Sequence, residues 1–393
     1  MMLMRVRKFC FGCLLICMAT NALGQQAPVY LTNQQGQIAG NDPRAIYKRI
    51  DAEKGINPVR AASLKKCLAT QLGAVYADRV MNPPMGFAAH TVFYFVKDPA
   101  GGVPGFPACV LTTGMRYLVR DPGTGAAKVA MDGTLIGLET NNLYHFLGQV
   151  GNFWKECDEA KVPEFFEELP VTDSSADYIE LDFSQYGYPH ITPGKPFRIV
   201  TGNRRPLFVP LKRKAFLEFL IARKIVEMKE CQDNIKDDQK IVTEQGSLYN
   251  DPAMSSSRQV IATNIRREKQ SIADENKRLG QLRTRMGDYQ KVLDGMTPRE
   301  RDAPVRLDYK RYLSDDPLQG LLAEGSTEGT ALFTVNPDYY DKSAGAPLAQ
   351  LIVVYYELPG ATIFEPDRLN YLQQATTDLF HRLDYHALSM SMR

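Results

Sequence analysis

Glu180 and Asp182 stand two residues apart in a run from Tyr178 to Phe183 that alternates polar and apolar side chains, and Tyr186, Tyr188 and His190 follow. A β-strand turns residues i and i+2 to one face. Two carboxylates near an imidazole could therefore serve as general acid and base, or hold a sugar against the tyrosines. This makes Glu180, Asp182 and His190 the catalytic candidates. The plainer account, which we favour, is a half-exposed strand with Tyr178, Glu180 and Asp182 on its wet face, opposite Ile179, Leu181 and Phe183.

Three other sets carry chemistry. His381, Asp384 and His386 offer nitrogen and oxygen ligands, but they converge only if the helix frays at Tyr385, so no metal is expected. Arg204, Arg205, Lys212, Arg213 and Lys214, with Arg266, Arg267 and Lys269 further on, could engage an acidic partner or simply solubilise a long helix. Cys67, Cys109, Cys157 and Cys231 permit two disulfides in an oxidising compartment, with buried free thiols the alternative. No phosphate loop, dinucleotide fingerprint, zinc-protease pair or nucleophile elbow occurs. No cofactor is called for, and a non-enzymatic role is favoured.

The elements that would position these residues read as α+β. Asp42-Pro43 and Asn57-Pro58 each open a helix, the second with Ala61, Leu64, Leu68 and Leu72 on one face. Phe87 to Val96 reads as an inner strand, and Cys109 to Arg120 as another, ending in the turn Asp121-Pro122-Gly123-Thr124-Gly125. Asp132-Gly133 reads as a hairpin turn. A helix is expected over 142–159 and a second β segment over 177–209, with Phe197 to Thr201 pairing with Pro206 to Val209. Strands at Ala331 to Val335 and Leu351 to Tyr356 precede a terminal helix opened by Glu365-Pro366.

The most specific pattern lies between these β segments. Leu217, Ile221, Lys224, Met228, Cys231, Ile235, Asp238 and Val242 step alternately by four and three, and ten positions from Ile261 to Leu293 do the same. A sustained mean step of 3.5 is the mark of a coiled-coil seam. The expected architecture is thus an antiparallel sheet with packed helices and a protruding antiparallel helical hairpin. The boundaries are a signal peptide at 1–24, a polar flexible leader at 25–41, a body at 42–211, the hairpin at 212–295, and a C-terminal strand–helix unit at 296–393 that completes the body.

The 393 residues hold 47 Lys plus Arg against 45 Asp plus Glu, with 44% hydrophobic content, as in ordinary globular proteins. A cationic start (Arg5, Arg7, Lys8) and an apolar run from Phe9 to Met18 read as an export signal cleaved after Gly24. Its removal leaves 44 basic against 45 acidic residues. The exported chain would therefore lack a global field for nucleic acid, and no membrane span is expected after cleavage. The hairpin, with 17 basic and 13 acidic residues from Lys212 to Asp294, is the local exception. The expectation is a periplasmic or extracellular binding or scaffold protein that uses the hairpin for self-association or a partner, with Lys224, Arg266, Arg267 and Lys269 as contact residues. The alternative is an extracytoplasmic hydrolase acting on glycans or peptides.

Overall fold

Side chains that branch at Cβ or carry rings suit a pleated surface, and the runs rich in them form one large sheet in the computed structural model. It describes residues 29–97, 106–150, 153–169, 171–181, 196–202, 205–313, 317–343, 345–358 and 366–393. The expected signal peptide, Asp182, His190 and Arg204 lie outside the described residues.

In chain order the strands are β1 (Ile38–Ala39), β2 (Phe87–Val96), β3 (Ala108–Arg120), β4 (Ala127–Thr140), β5 (Phe165–Glu167) and β6 (Val171–Ser174). They continue as β7 (Tyr178–Leu181), β8 (Phe197–Thr201), β9 (Phe208–Pro210), β10 (Arg306–Leu307), β11 (Thr330–Val335) and β12 (Leu351–Glu357). The helices are α1 (Pro43–Ala52), α2 (Pro58–Tyr76), α3 (Tyr144–Val150), α4 (Trp154–Ala160), α5 (Arg213–Asn250), α6 (Arg258–Gly295), α7 (Pro298–Asp302), α8 (Tyr309–Tyr312), α9 (Pro366–Arg382) and α10 (Tyr385–Ser391). The class is α+β.

Eight strands run in the order β1-β2-β3-β4-β12-β8-β7-β6, and every pair except β1–β2 is antiparallel. The strand that follows the hairpin in sequence, β12, lies between β4 and β8, which precede it. One face carries rows such as Phe93, Leu111, Leu138 and Val354, buried with Ile46, Leu64, Leu68, Leu372, Leu379 and Leu388 from α1, α2, α9 and α10. On the opposite face, Phe197, Ile199, Leu351, Val353 and Tyr355 form a second cluster with Phe146, Phe166, Tyr339 and Tyr340. The β2 end of that face is open, with Val92 and Tyr94 exposed.

A smaller sheet, β10-β11-β5 with β9 also on β11, forms the seat of the hairpin. Phe216, Phe219 and Leu220 of α5 and Tyr289 and Leu293 of α6 are buried there with Phe153, Phe165, Tyr312 and Leu332. From the seat outward, all eighteen positions of the predicted seam are buried or half-buried and none is exposed. Each helix has 38 residues, so the arms are about 57 Å long at 1.5 Å per residue. The first arm was expected to end near Val242. It continues to Asn250 because Asp251 is the first residue whose backbone is pushed out of the helix by a following proline, and the reversal is a short 3₁₀ turn, Pro252–Ser257.

Several local expectations are corrected. Residues 29–41 are not a free leader where described. Leu31 donates to the Leu118 carbonyl at 2.8 Å, β1 pairs with β2, and Gly40, at φ +77°, lies so close to β2 that a Cβ would sit 2.0 Å from the Thr91 oxygen. Asp132-Gly133 lies inside β4 at a register shift, and the turn is made at Asp121, whose Oδ1 accepts from the Gly123 and Thr124 amides at 3.0 Å. The helix expected over 142–159 is two short helices. Strand β8 does not pair with β9; it is buried almost throughout and takes β12 and β7 as its neighbours, while β9 joins the small sheet.

Candidate functional site

The large sheet holds two carboxylate-centred clusters, one on each face. The first begins with Glu139, an acidic residue inside the apolar run Leu135 to Thr140. Its side chain is fully buried, and an unpaired carboxylate there would be costly. Asn141, in the left-handed region at φ 52°, turns the chain out of β4. Its side chain fixes that turn by donating to the Leu348 and Pro107 carbonyls at 2.6 and 3.1 Å and accepting from the Gln350 amide at 3.0 Å. The turn brings Asn142 and His145 back over Glu139. Asn142 Nδ2 donates to Glu139 Oε2 at 3.1 Å, and His145 Nδ1 meets Oε1 in a short hydrogen bond.

The other imidazole nitrogen, Nε2, faces outward. It lies 3.3 Å from the Tyr355 hydroxyl and 3.9 Å from Glu357 Oε1, and the imidazole stacks on the Tyr355 ring at 4.4 Å. That ring lies across Gly137, where a Cβ would come 2.4 Å from it. Burial draws the His145 pKa down, but the Glu139 hydrogen bond and charge, with Glu357 adding, outweigh it and leave the group above the ordinary imidazole value. The His145 side chain keeps 27% of its surface exposed. Cross-strand register places Tyr94 in the same row as Glu139, and Val92 and Thr112 in the row of Tyr355. The outward nitrogen therefore borders the open end of the sheet. A buried carboxylate orienting a partly exposed histidine through one ring nitrogen is the arrangement of a general base and its positioning residue.

The second cluster contains Glu180. Its carboxylate is not on a wet face: Glu180 Oε2 accepts from Arg198 Nε at 2.7 Å, and the two side chains are 12% and 7% exposed. Arg198 lies over the rings of Tyr178, Tyr385 and Phe380 at 4.4, 4.7 and 5.0 Å and donates to the His381 carbonyl at 3.3 Å. Its Nη2 is 3.1 Å from His381 Nδ1. The alternation in β7 did identify which side chains share a face. It did not show that α9 and α10 cover that face, because a covering element leaves no mark on the strand's own period.

The other nominated residues are not gathered into a site. His381 serves Arg198, Asp384 caps α10 by accepting from the Ala387 amide at 2.8 Å, and His386 faces Asp177 at 3.2 Å. Among the described residues, no three His, Cys, Asp or Glu side chains are arranged to hold a metal ion. The four cysteines are free, buried thiols. Burial raises the pKa of each, to about 12 at Cys157 and about 11 at Cys231, where Glu275 adds to it. Such thiols are inert packing groups at neutral pH.

On the hairpin, Arg266, Arg267 and Lys269 are exposed towards the tip. They are far from Arg213 and Lys214 at the seat, about 40 Å along the helix axis, so the expected basic cluster is two separate groups. Lys224 is not a contact residue: it is buried in the seam and pairs with Glu227 at 2.7 Å. Along one side of the outer half runs an open cleft of about 1460 Å³ between Asp237, Ile241 and Glu244 on α5 and Thr263, Arg267 and Gln270 on α6.

No protein-family model and no curated protein matches this chain. The sequence did hold a usable signal for the Glu139 cluster: a lone acidic residue in an apolar strand needs a partner, and His145 is the first cationic candidate after it. No helix among the described residues is long and apolar enough to cross a membrane.

Proposed function

We propose that the protein is an exported, non-enzymatic binding or scaffold protein whose hairpin is its partner-engaging arm. The observation that carries this reading is the change in support along the hairpin. At the seat, the helices are surrounded by aromatic side chains from two other parts of the chain. In the outer half, α5 and α6 have chiefly each other, and polar side chains (Asp238, Glu268, Glu275) occupy the seam. An arm of that length contributes little to the body's own core, and its open cleft suits another helix.

Excising residues 232–278 and joining Cys231 to Leu279 through a short glycine-serine turn keeps the seat intact. The full chain should yield cross-linked species in extracts of its native compartment, and the excised chain should lose them while its body unfolds at the same temperature. Cross-linking that survives the excision refutes this reading.

The Glu139–His145 pair favours a second reading, a hydrolase acting on glycans or peptides, with His145 Nε2 as the base that takes a proton from water and Glu139 as its positioning residue. Screening esters, peptides and glycosides with the full chain and with His145→Gln tests it. Turnover by the full chain that disappears in the variant supports it, and turnover unaffected by the substitution removes His145 from any mechanism.

A further inference from the structure

We propose that the helix which fits the hairpin cleft belongs to a second copy of this chain, so that two hairpins pair through their outer halves as a four-helix bundle. This rests on the hairpin being the binding arm and names its partner. Three observations support it.

The first is apolar surface that no described residue covers. Ile241 and Leu248, one heptad apart on α5, are each 39% exposed, and Val260 near the start of α6 is 64% exposed. Ile241 lines the cleft itself. Residues one heptad apart on a helix form a stripe, and a stripe beside an existing seam is what a third and fourth helix bury in a bundle.

The second is the division of charge between the arms. From Glu227 to Asn250, α5 has six acidic and three basic side chains; from Arg258 to Arg285, α6 has eight basic and three acidic ones. The two arms therefore have opposite sign in the region where the cleft lies.

The third is that the opposite charges of the two arms are not paired with each other within one hairpin. Among the described residues no salt bridge joins α5 to α6. The outer-half pairs run along single helices: Lys240 with Glu244 at 3.9 Å, Arg267 with Glu268 at 2.8 Å and Arg278 with Glu275 at 4.0 Å. A two-fold axis relating two hairpins sets each acidic α5 beside the partner's basic α6, so the same surface is complementary to itself. An unrelated acidic helix could satisfy α6 but would meet repulsion along α5.

The test uses the full chain in light scattering at micromolar concentration, with two charge-reversed variants. One carries Asp237→Lys and Glu244→Lys on α5, the other Arg266→Glu, Arg267→Glu and Lys269→Glu on α6. Wild type should show twice the mass of one chain. Each variant alone should associate at least about tenfold more weakly, because its two arms now share a sign. An equimolar mixture of the two should recover the doubled mass, as each reversed arm meets its complement. Thermal unfolding of each variant confirms that the body is folded. A wild type with the mass of a single chain overturns the proposal, as does a mixture that fails to associate. If such a monomer still cross-links to another protein through residues 232–278, the arm remains and only its assignment to a second copy falls.

Discussion

Two carboxylates of the large sheet, Glu139 and Glu180, are both withdrawn from water and both paired with a nitrogen base, yet they are built for different ends. The Glu180–Arg198 pair is closed. Three rings cover the guanidinium, and its remaining donors reach the His381 carbonyl and ring. The Glu139–His145 pair is open on one side, with its outer nitrogen 3.3 Å from a tyrosine hydroxyl and its ring partly in solvent. Burial of charge alone thus does not mark a chemical site. The distinction is whether any polar atom of the pair still faces a place that another molecule can reach.

Breaking the closed pair should have the largest effect. Arg198→Ala removes the cation from between its rings and leaves the largely buried Glu180 carboxylate with only the Thr172 hydroxyl, 3.2 Å from its other oxygen, as a partner. Truncating one member of such a pair costs about 3–5 kcal/mol, which urea unfolding would resolve. A loss below about 1 kcal/mol would show that the site admits water, and that the two clusters differ less than the contacts indicate. The open pair should respond more mildly. Glu139→Gln keeps the shape and the Asn142 contact but removes the charge facing His145, for an expected loss of about 1–3 kcal/mol. The larger consequence should be on His145 itself, whose proton affinity should fall in an NMR titration. An unchanged titration would mean that Glu139 does not tune the imidazole.

The difference between the clusters also explains which parts of the molecule were legible in the sequence. The hairpin was readable because its seam is a local property: every turn of α5 repeats the same demand on the residue facing α6, and that repetition appears as a step of 3.5. The strand at Leu351 to Tyr356 and the helix opened by Pro366 were readable for the same reason. The pairing of β8 with β12, some 150 residues away, was not, since a strand such as Phe197 to Val200, apolar but for Arg198, states that it is buried and not by what. Asp132-Gly133 misled because a dipeptide favoured in turns is equally tolerated at a bulge, where backbone crowding also calls for glycine. Glu180 was found for its company of tyrosines, and its role was then decided by α9 and α10, over 180 residues later. Glu139 was passed over because it stands alone in sequence and acquires its histidine only through the turn that Asn141 holds.

The smallest expected effect separates the clusters most cleanly, because they titrate with opposite sign. At the closed cluster, Asp173 accepts a hydrogen bond from the Tyr178 hydroxyl at 2.6 Å, which holds its carboxyl below the usual range, with Arg198 adding. A depressed folded pKa contributes stability above the unfolded value of about 3.9, and that contribution is lost as pH falls through the folded one. At the open cluster, His145 is raised above its ordinary value by Glu139 and Glu357, against burial. Its contribution is fully present below the unfolded value of about 6.5 and is lost as pH rises through the folded one. Tyr355 and Tyr94 also face this region, but burial raises both, so they stay neutral in that window. Unfolding free energies of wild type and Glu139→Gln, measured from mildly acidic to mildly alkaline pH, should therefore converge as pH rises, because the wild type loses an advantage that the variant never had. In acid, where Asp173 titrates, the two curves should fall in parallel. A difference between them that stays constant through neutral pH would show that His145 gains nothing from Glu139, and the open cluster would then have to be regarded as closed.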